Sequence, residues 1–404
     1  MGLIALLGAR EGAREHTADG RPGPLMGFGG QPLVEFQARA AIRAGAERIL
    51  ILADAATADL GQLVDRLVAA TGVEVALVRD MIALARSLAP DDRLLLVSDN
   101  MVVPLDALVT LAASDAPALL SVADVPATSA FERIDADTKW AGVLLMPGAH
   151  VLATLDMLGD WDLALTLLRR AVQDGAHRVA LSPDLVMDGH LAIVRDAASA
   201  HLALRARAEE DRREAVSAAG PVGRLLAPFS RLIVQELVRR EVEPGWLHGV
   251  ALACAAFGVI LALGGFAGLA LLVLIFAGAL DDLARQSERV TLRVSGMPWR
   301  SWLVSGGGLL ALAIIGWRLA GGGALALAGA WLPLVLVGLL AWRQAGSAPG
   351  GLWRGWTAMT VPLALIIALV GVLASAADVA LALLGLLATV MVALRFVLDG
   401  ASKV

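Results

Sequence analysis

From Trp246 onward the chain is a succession of apolar runs, each long enough, or nearly so, to cross a bilayer: Trp246–Gly264, Phe266–Leu280, Trp302–Leu319, Ala324–Trp342, Thr357–Ser375 and Val379–Leu398. Backbone in hydrocarbon must satisfy its own hydrogen bonds, so these runs predict an all-α bundle of six spans over residues 246–404. No comparable charge-free run precedes Trp246. At 58% hydrophobic residues over 404 and a mean hydropathy of +0.72, the whole is too apolar for a soluble protein. A soluble domain joined to a membrane domain follows.

The first half has a different rhythm. LIALLG, PLVEFQARAAIRAG, RILILA, a helix around Leu60–Ala70, VEVALV, RLLLVS, a helix around Leu105–Ala113 and PALLSV read as strand and helix in turn. Alternation of this kind specifies an α/β, Rossmann-like domain with a mostly parallel sheet, here assigned to residues 1–196. Residues 197–245 form a helical linker. Its charged centre, EEDRRE, is broken at Gly220-Pro221, and a basic amphipathic stretch with Arg224, Arg231, Arg239 and Arg240 suits a headgroup plane.

Charge fixes an expected orientation. MGLIALLGAR has no basic leader and too short an apolar run for export, so the first domain is expected in the cytosol. The loops on that side carry Arg285, Arg289, Arg293, Arg300, Arg343, Arg354 and Lys403, whereas the opposite loops hold no basic residue. A multi-pass protein of the inner (cytoplasmic) membrane is expected, with both termini inside. Trp246, Trp302, Trp331, Trp342 and Trp356 fall near the interfaces as anchors. Gly306–Gly308 and Gly321–Gly323 favour close helix packing or a turn, and a homodimer through the membrane domain is one expectation. The net charge of −5 without a basic-aromatic patch argues against nucleic acid. Cys254 is the only cysteine, which excludes an internal disulfide.

Chemistry is expected in two places. Ligands of α/β sheets sit beyond the carboxyl ends of the strands. One such end opens into the long Gly-rich loop LGAREGAREHTADGRPGPLMGFGG, and another, RLLLVSDN, carries Asp99, which is either a metal-holding carboxylate or a turn residue. The second place is the end of the second apolar run, where Asp281 and Asp282 are followed by Arg285, Arg289 and Arg293 at four-residue intervals. Carboxylates beside hydrocarbon are costly without a cation or a partner. Mg²⁺ shared with substrate phosphates is one solution, and an Asp281/Arg285 ion pair is the other. Few further charged residues lie in or beside the apolar runs: Arg318, Asp378 and Arg395, all near ends.

Two resemblances join these features. LIALLGAREGARE, RPGPLMGFGGQPLVEFQARAAIRAGAERILIL and LLLVSDNMVVPLDAL resemble the sugar-phosphate and inositol-phosphate nucleotidyltransferases. That resemblance implies nucleotide binding by Gly8, Arg10, Gly12 and Arg21, and metal binding by Asp99 and Asp188. Gly23 and Gln31 stand where that family has lysines, and no lysine precedes Lys139, so Arg10, Arg14 and Arg21 must offset triphosphate charge. GPVGRLLAPFSRLIVQELVRREVEPGWLHGVALACAAFG and ALDDLARQSERVTLRVSG resemble the CDP-alcohol phosphotransferases. There the implied catalytic residues are Asp281, Asp282 and Arg285, with Asp281 and Asp282 as metal ligands. The second half of that family's motif is missing after Gly296, which leaves Glu288 as the nearby substitute base.

The order of the two halves resembles bifunctional enzymes that make a CDP-alcohol, such as CDP-inositol, and transfer its phospho-alcohol group in phospholipid or polyol-phosphodiester synthesis. CTP or a CDP-alcohol, membrane lipid and Mg²⁺ are the implied partners. The alternative is a catalytically silent relative serving as a membrane scaffold or as a regulatory nucleotide- or lipid-binding partner.

Overall fold

The computed structural model describes residues 2–9, 25–55, 57–157, 162–218, 244–293, 299–319, 361–377 and 379–387. The chain divides into two compact units, the first built on Met1–Glu209 with Arg289–Gly296 added, the second on Val242–Glu288 and Met297–Val404.

In chain order the first unit holds β1 (Leu3–Gly8), α1 (Leu33–Arg43), β2 (Arg48–Leu52), α2 (Ala58–Thr71), β3 (Glu74–Val78), α3 (Met81–Arg86), β4 (Arg93–Val97), β5 (Met101–Val102) and α4 (Leu105–Ala113). There follow β6 (Ala118–Ala123), β7 (Glu132–Arg133), β8 (Thr138–Pro147), α5 (Gly148–Leu155), α6 (Leu163–Gln173), β9 (His177–Leu181), α7 (Asp184–Met187), β10 (Ala192–Ile193) and the start of α8 (Ala197–Ala218). Local signals set several helix ends. The Thr57 hydroxyl accepts from Leu60 N at 3.3 Å to open α2, and Gly72, at φ 70°, closes it in the left-handed region. Asp80 and Asp162 cap α3 and α6 in the same way.

The main sheet runs β3-β2-β1-β4-β8-β6-β9, with β7 paired to β8. β1, β2, β3 and β4 are parallel, as the alternation predicts, and so are β6 and β9. β8, however, runs antiparallel to both β4 and β6 in the middle of the sheet. The reason is the connection: a parallel neighbour needs a crossover, usually an α-helix, whereas residues 124–137 between β6 and β8 form no α-helix and turn back through β7, which pairs antiparallel with β8. Helices cover the sheet, so Leu6, Leu50, Leu94, Leu96 and Leu144 are all buried in one core.

Gly148 shows how tightly this core is closed. A Cβ there would lie 2.2 Å from the Ala89 carbonyl oxygen and 3.0 Å from that of Asp92. Both obstacles are backbone, so Gly148→Ala is expected to destabilise the first unit by about 1–3 kcal/mol, read as a lower denaturant midpoint.

The second unit is helical: α9 (Pro244–Gly264), α10 (Ala267–Val290), α11 (Trp299–Leu319) and α12 (Val361–Leu373), with residues 379–387 also helical. Among the described residues three helices are long and apolar enough to cross a membrane: Gly245–Gly264, Ala267–Val290 and Trp299–Arg318. Of the six expected spans, Ala324–Trp342 lies outside the described residues, and the fifth and sixth are described only in part. The second span is longer than its apolar run, because α10 continues through the charged stretch to Val290. Small residues let the helices approach. Gly258 on α9 meets Leu274 of α10, and Gly307 on α11 meets Ala255 of α9. Phe257, Ile260, Leu272 and Phe276 face outward, a surface suited to hydrocarbon.

Candidate functional site

The first site lies where β1 and β4 end side by side, with Leu7 paired to Val97. The next residue on each strand begins a loop, and the Asp99 carboxylate folds over the α-carbon of Gly8. A Cβ on Gly8 would sit 1.3 Å from Asp99 Oδ1 and 2.5 Å from its Cγ, so only glycine permits this approach. Asn100 completes the turn at φ 58°, a left-handed conformation that Asn tolerates better than most residues. Its carbonyl accepts from Val194 N at 2.7 Å. The buried Gln37 of α1 donates from Nε2 to the carbonyls of Ser98 (3.1 Å) and Met101 (2.8 Å), which holds the turn in place.

This clamp leaves three oxygens unsatisfied. Gln37 Oε1, Ser98 Oγ and Asn100 Oδ1 are buried and have no hydrogen-bond partner among the described residues. Buried polar atoms of this kind are normally paired, with protein groups or with ordered water. Asp99 is exposed beside them. One accessible carboxylate flanked by unpaired oxygens suits Mg²⁺, which is held by one or two carboxylates and keeps several waters or phosphate oxygens.

The other residues expected here are placed differently. Asp188 is exposed at the end of α7, and β10 pairs Ile193 with Met101 and Ala192 with Val102, so the ladder leads away from Asp99 toward Asp188. Backbone pairing therefore does not bring the two carboxylates together. Arg10, Gly12 and Arg21 lie outside the described residues. Gln31, which stands where the resemblance expects lysine, is buried. Its Nε2 donates to the Thr291 carbonyl at 2.5 Å, and Arg293 donates to the Gly30 carbonyl and to Gln31 Oε1. Those contacts, all within the first unit, use both ends of the Gln31 amide for structure.

The second site lies within the second unit. Asp281 of α10 is 2% exposed, and both its oxygens are engaged. Oδ1 lies 2.9 Å from His248 Nδ1 of α9 and accepts from Ser301 Oγ of α11 at 3.0 Å, while Oδ2 is 3.2 Å from Arg285 Nη2. The other ring nitrogen of His248 is 3.1 Å from Glu288 Oε1, two turns along α10 from Asp281. Asp282 is half-exposed and pairs with Arg285. The Asp281/Arg285 ion pair is thus present, but it is one strand of a larger network whose centre, His248, the charge pattern did not single out. A signal was available, since an ionisable residue inside an apolar run is a candidate by default.

Among the described residues no group of three or more His, Cys, Asp or Glu is arranged to hold a metal ion. No family model matches the chain. No curated protein matches it either. Among solved structures, the chain is similar to the inositol-1-phosphate CTP transferase from T. maritima, at 16% identity and a TM-score of 0.38, over 49% of this chain and 91% of that one.

Proposed function

We propose that the first unit binds a nucleoside triphosphate with a divalent cation at the carboxyl ends of β1 and β4, and passes the nucleotidyl group to a phosphorylated alcohol while the second unit holds the protein at a lipid bilayer. In that reaction a phosphate oxygen of the alcohol attacks the α-phosphorus, pyrophosphate leaves, and a nucleoside diphosphate-alcohol of the CDP-inositol type forms. The observation that carries the reading is the Asp99 carboxylate pressed onto Gly8 beside three buried, unpaired oxygens. Asp99 would hold the cation, which when bound neutralises phosphate charge. Gln37 and Asn100 fix the turn that presents the carboxylate.

The test combines binding and turnover on the full chain in detergent with CTP and Mg²⁺. Asp99→Asn is expected to weaken Mg²⁺-dependent CTP binding at least about tenfold, roughly 1.4 kcal/mol, and to abolish pyrophosphate release with inositol phosphate or glycerol phosphate. CTP binding that is independent of Mg²⁺ and unchanged in Asp99→Asn would overturn the reading.

A second reading, nucleotide binding without turnover, is favoured by one observation. Lys139, the first lysine of the chain, is buried, and its ammonium is committed to the Thr128 carbonyl at 3.0 Å and to Asp124 at 3.2 Å. That hydrogen bond holds the Asp124 carboxyl below the usual carboxylate range. The basic side chain offsetting a departing pyrophosphate must then be arginine, which does not reproduce a lysine's point charge. Binding without pyrophosphate release selects this second reading.

A further inference from the structure

The acidic site of the second unit does not fit the divalent ion that resemblance to the CDP-alcohol phosphotransferases implies for it. Asp281 is buried with both oxygens already on protein donors, from His248, Ser301 and Arg285. Glu288 is turned to His248, and Asp282 to Arg285. Mg²⁺ demands near-octahedral oxygen ligation at about 2.1 Å, and the imidazole ring stands between the two carboxylates that would have to converge on it.

We propose that His248 replaces the metal: its ring bridges Asp281 and Glu288, joins α9 to α10, and through Ser301 ties in α11, so that the membrane unit is closed by an internal cation and binds no divalent ion at its acidic pair. Ionised carboxylates only accept hydrogen bonds, so a ring held between two of them donates from both nitrogens. The charged and titratable groups around the ring are then Asp281, Glu288 and, one shell out, Arg285 and Asp282, two cations against three carboxylates on two adjoining helices. Such a junction holds helices together and leaves no open coordination position for a diphosphate.

A consequence follows for the reaction sequence. The nucleoside diphosphate-alcohol attributed above to the first unit is consumed by a transferase elsewhere, since the metal-carboxylate centre for onward transfer is filled here.

The test is Mn²⁺ binding followed by electron paramagnetic resonance on the full chain in detergent, carried out in the Asp99→Asn variant so that the first unit contributes nothing. No bound Mn²⁺ is expected at submillimolar ion, and the further change Asp281→Asn is expected to alter nothing. One Mn²⁺ per chain that disappears with Asp281→Asn would overturn the proposal. Independently, nitrogen NMR of histidine-labelled chain, with His248→Gln for assignment, is expected to show both His248 nitrogens bearing protons. One protonated and one bare nitrogen on His248 in the unsubstituted chain would overturn it. Neither result depends on whether the first unit turns over nucleotide.

Discussion

Replacing His248 with alanine is expected to cost the second unit about 3–5 kcal/mol, because it removes the ring that two carboxylates share in a buried helix junction. Asp281, 2% exposed, would keep only Ser301 and the half-exposed Arg285. Glu288 would lose the ring nitrogen that faces it at 3.1 Å. Tryptophan fluorescence during denaturant unfolding in detergent reads the change, with Trp246 two residues from the substituted position. The accompanying result is diagnostic: adding Asp281→Leu and Glu288→Gln to a His248→Leu chain is expected to restore most of the loss, since removing all members of a buried ionic network is often nearly neutral whereas removing one is not. A small loss in His248→Ala, within about 0.5 kcal/mol of the parent, would show that the network carries no weight.

Gly8→Ala is expected to separate stability from function in the first unit. The new methyl would occupy the place of Asp99 Oδ1, 1.3 Å from its position, and the nearest atoms all belong to the Asp99 side chain. An exposed carboxylate can swing away, so the fold should lose no more than about 1 kcal/mol, well below the cost of a clash with backbone. The carboxylate then leaves its place over Gly8 at the carboxyl ends of β1 and β4. Mg²⁺-dependent CTP affinity is expected to fall roughly a hundredfold, about 2.8 kcal/mol at about 1.4 kcal/mol per decade. The contrast with Gly148→Ala, whose obstacles are the Ala89 and Asp92 carbonyls, is itself a check. There the stability should fall while the site at Asp99 stays intact in the folded fraction. Equal CTP affinity in Gly8→Ala and the parent would mean that the close approach of Gly8 and Asp99 has no bearing on ligand.

The two sites differ in what surrounds a carboxylate. Asp99 is exposed, on a turn clamped by Gln37, with acceptors around it that lack donors. Asp281 is enclosed, and each of its oxygens has a donor. An aspartate at the end of an apolar segment looks much the same in both places when only its neighbours in sequence are considered.

Features encoded over a few residues were legible in the letters. The strands Leu3–Gly8, Arg48–Leu52 and Arg93–Val97 and the helices Leu33–Arg43 and Ala58–Thr71 follow from apolar rhythm, and so does the length of α9, whereas the short helix Met81–Arg86 does not. Asp99 could be singled out because a carboxylate directly after a buried strand must sit at the sheet's carboxyl edge. The direction of β8 could not be read that way, since its residues suit either direction and the turn back through β7, without a crossover α-helix, decides. Gly8 and Asp99 were both named by the sequence, but their contact was not, because it exists only once β1 and β4 lie side by side. His248 was overlooked altogether. Its partners stand 33 and 40 positions along the chain, and a single polar letter in an apolar run carries no sign of what faces it. Sequence determined the main strands and helices of the first unit and three membrane-length helices among the described residues, because backbone geometry and burial act over a turn or a pleat. Tertiary structure alone decided which carboxylate is exposed and which is enclosed, because that depends on elements distant along the chain packing around it.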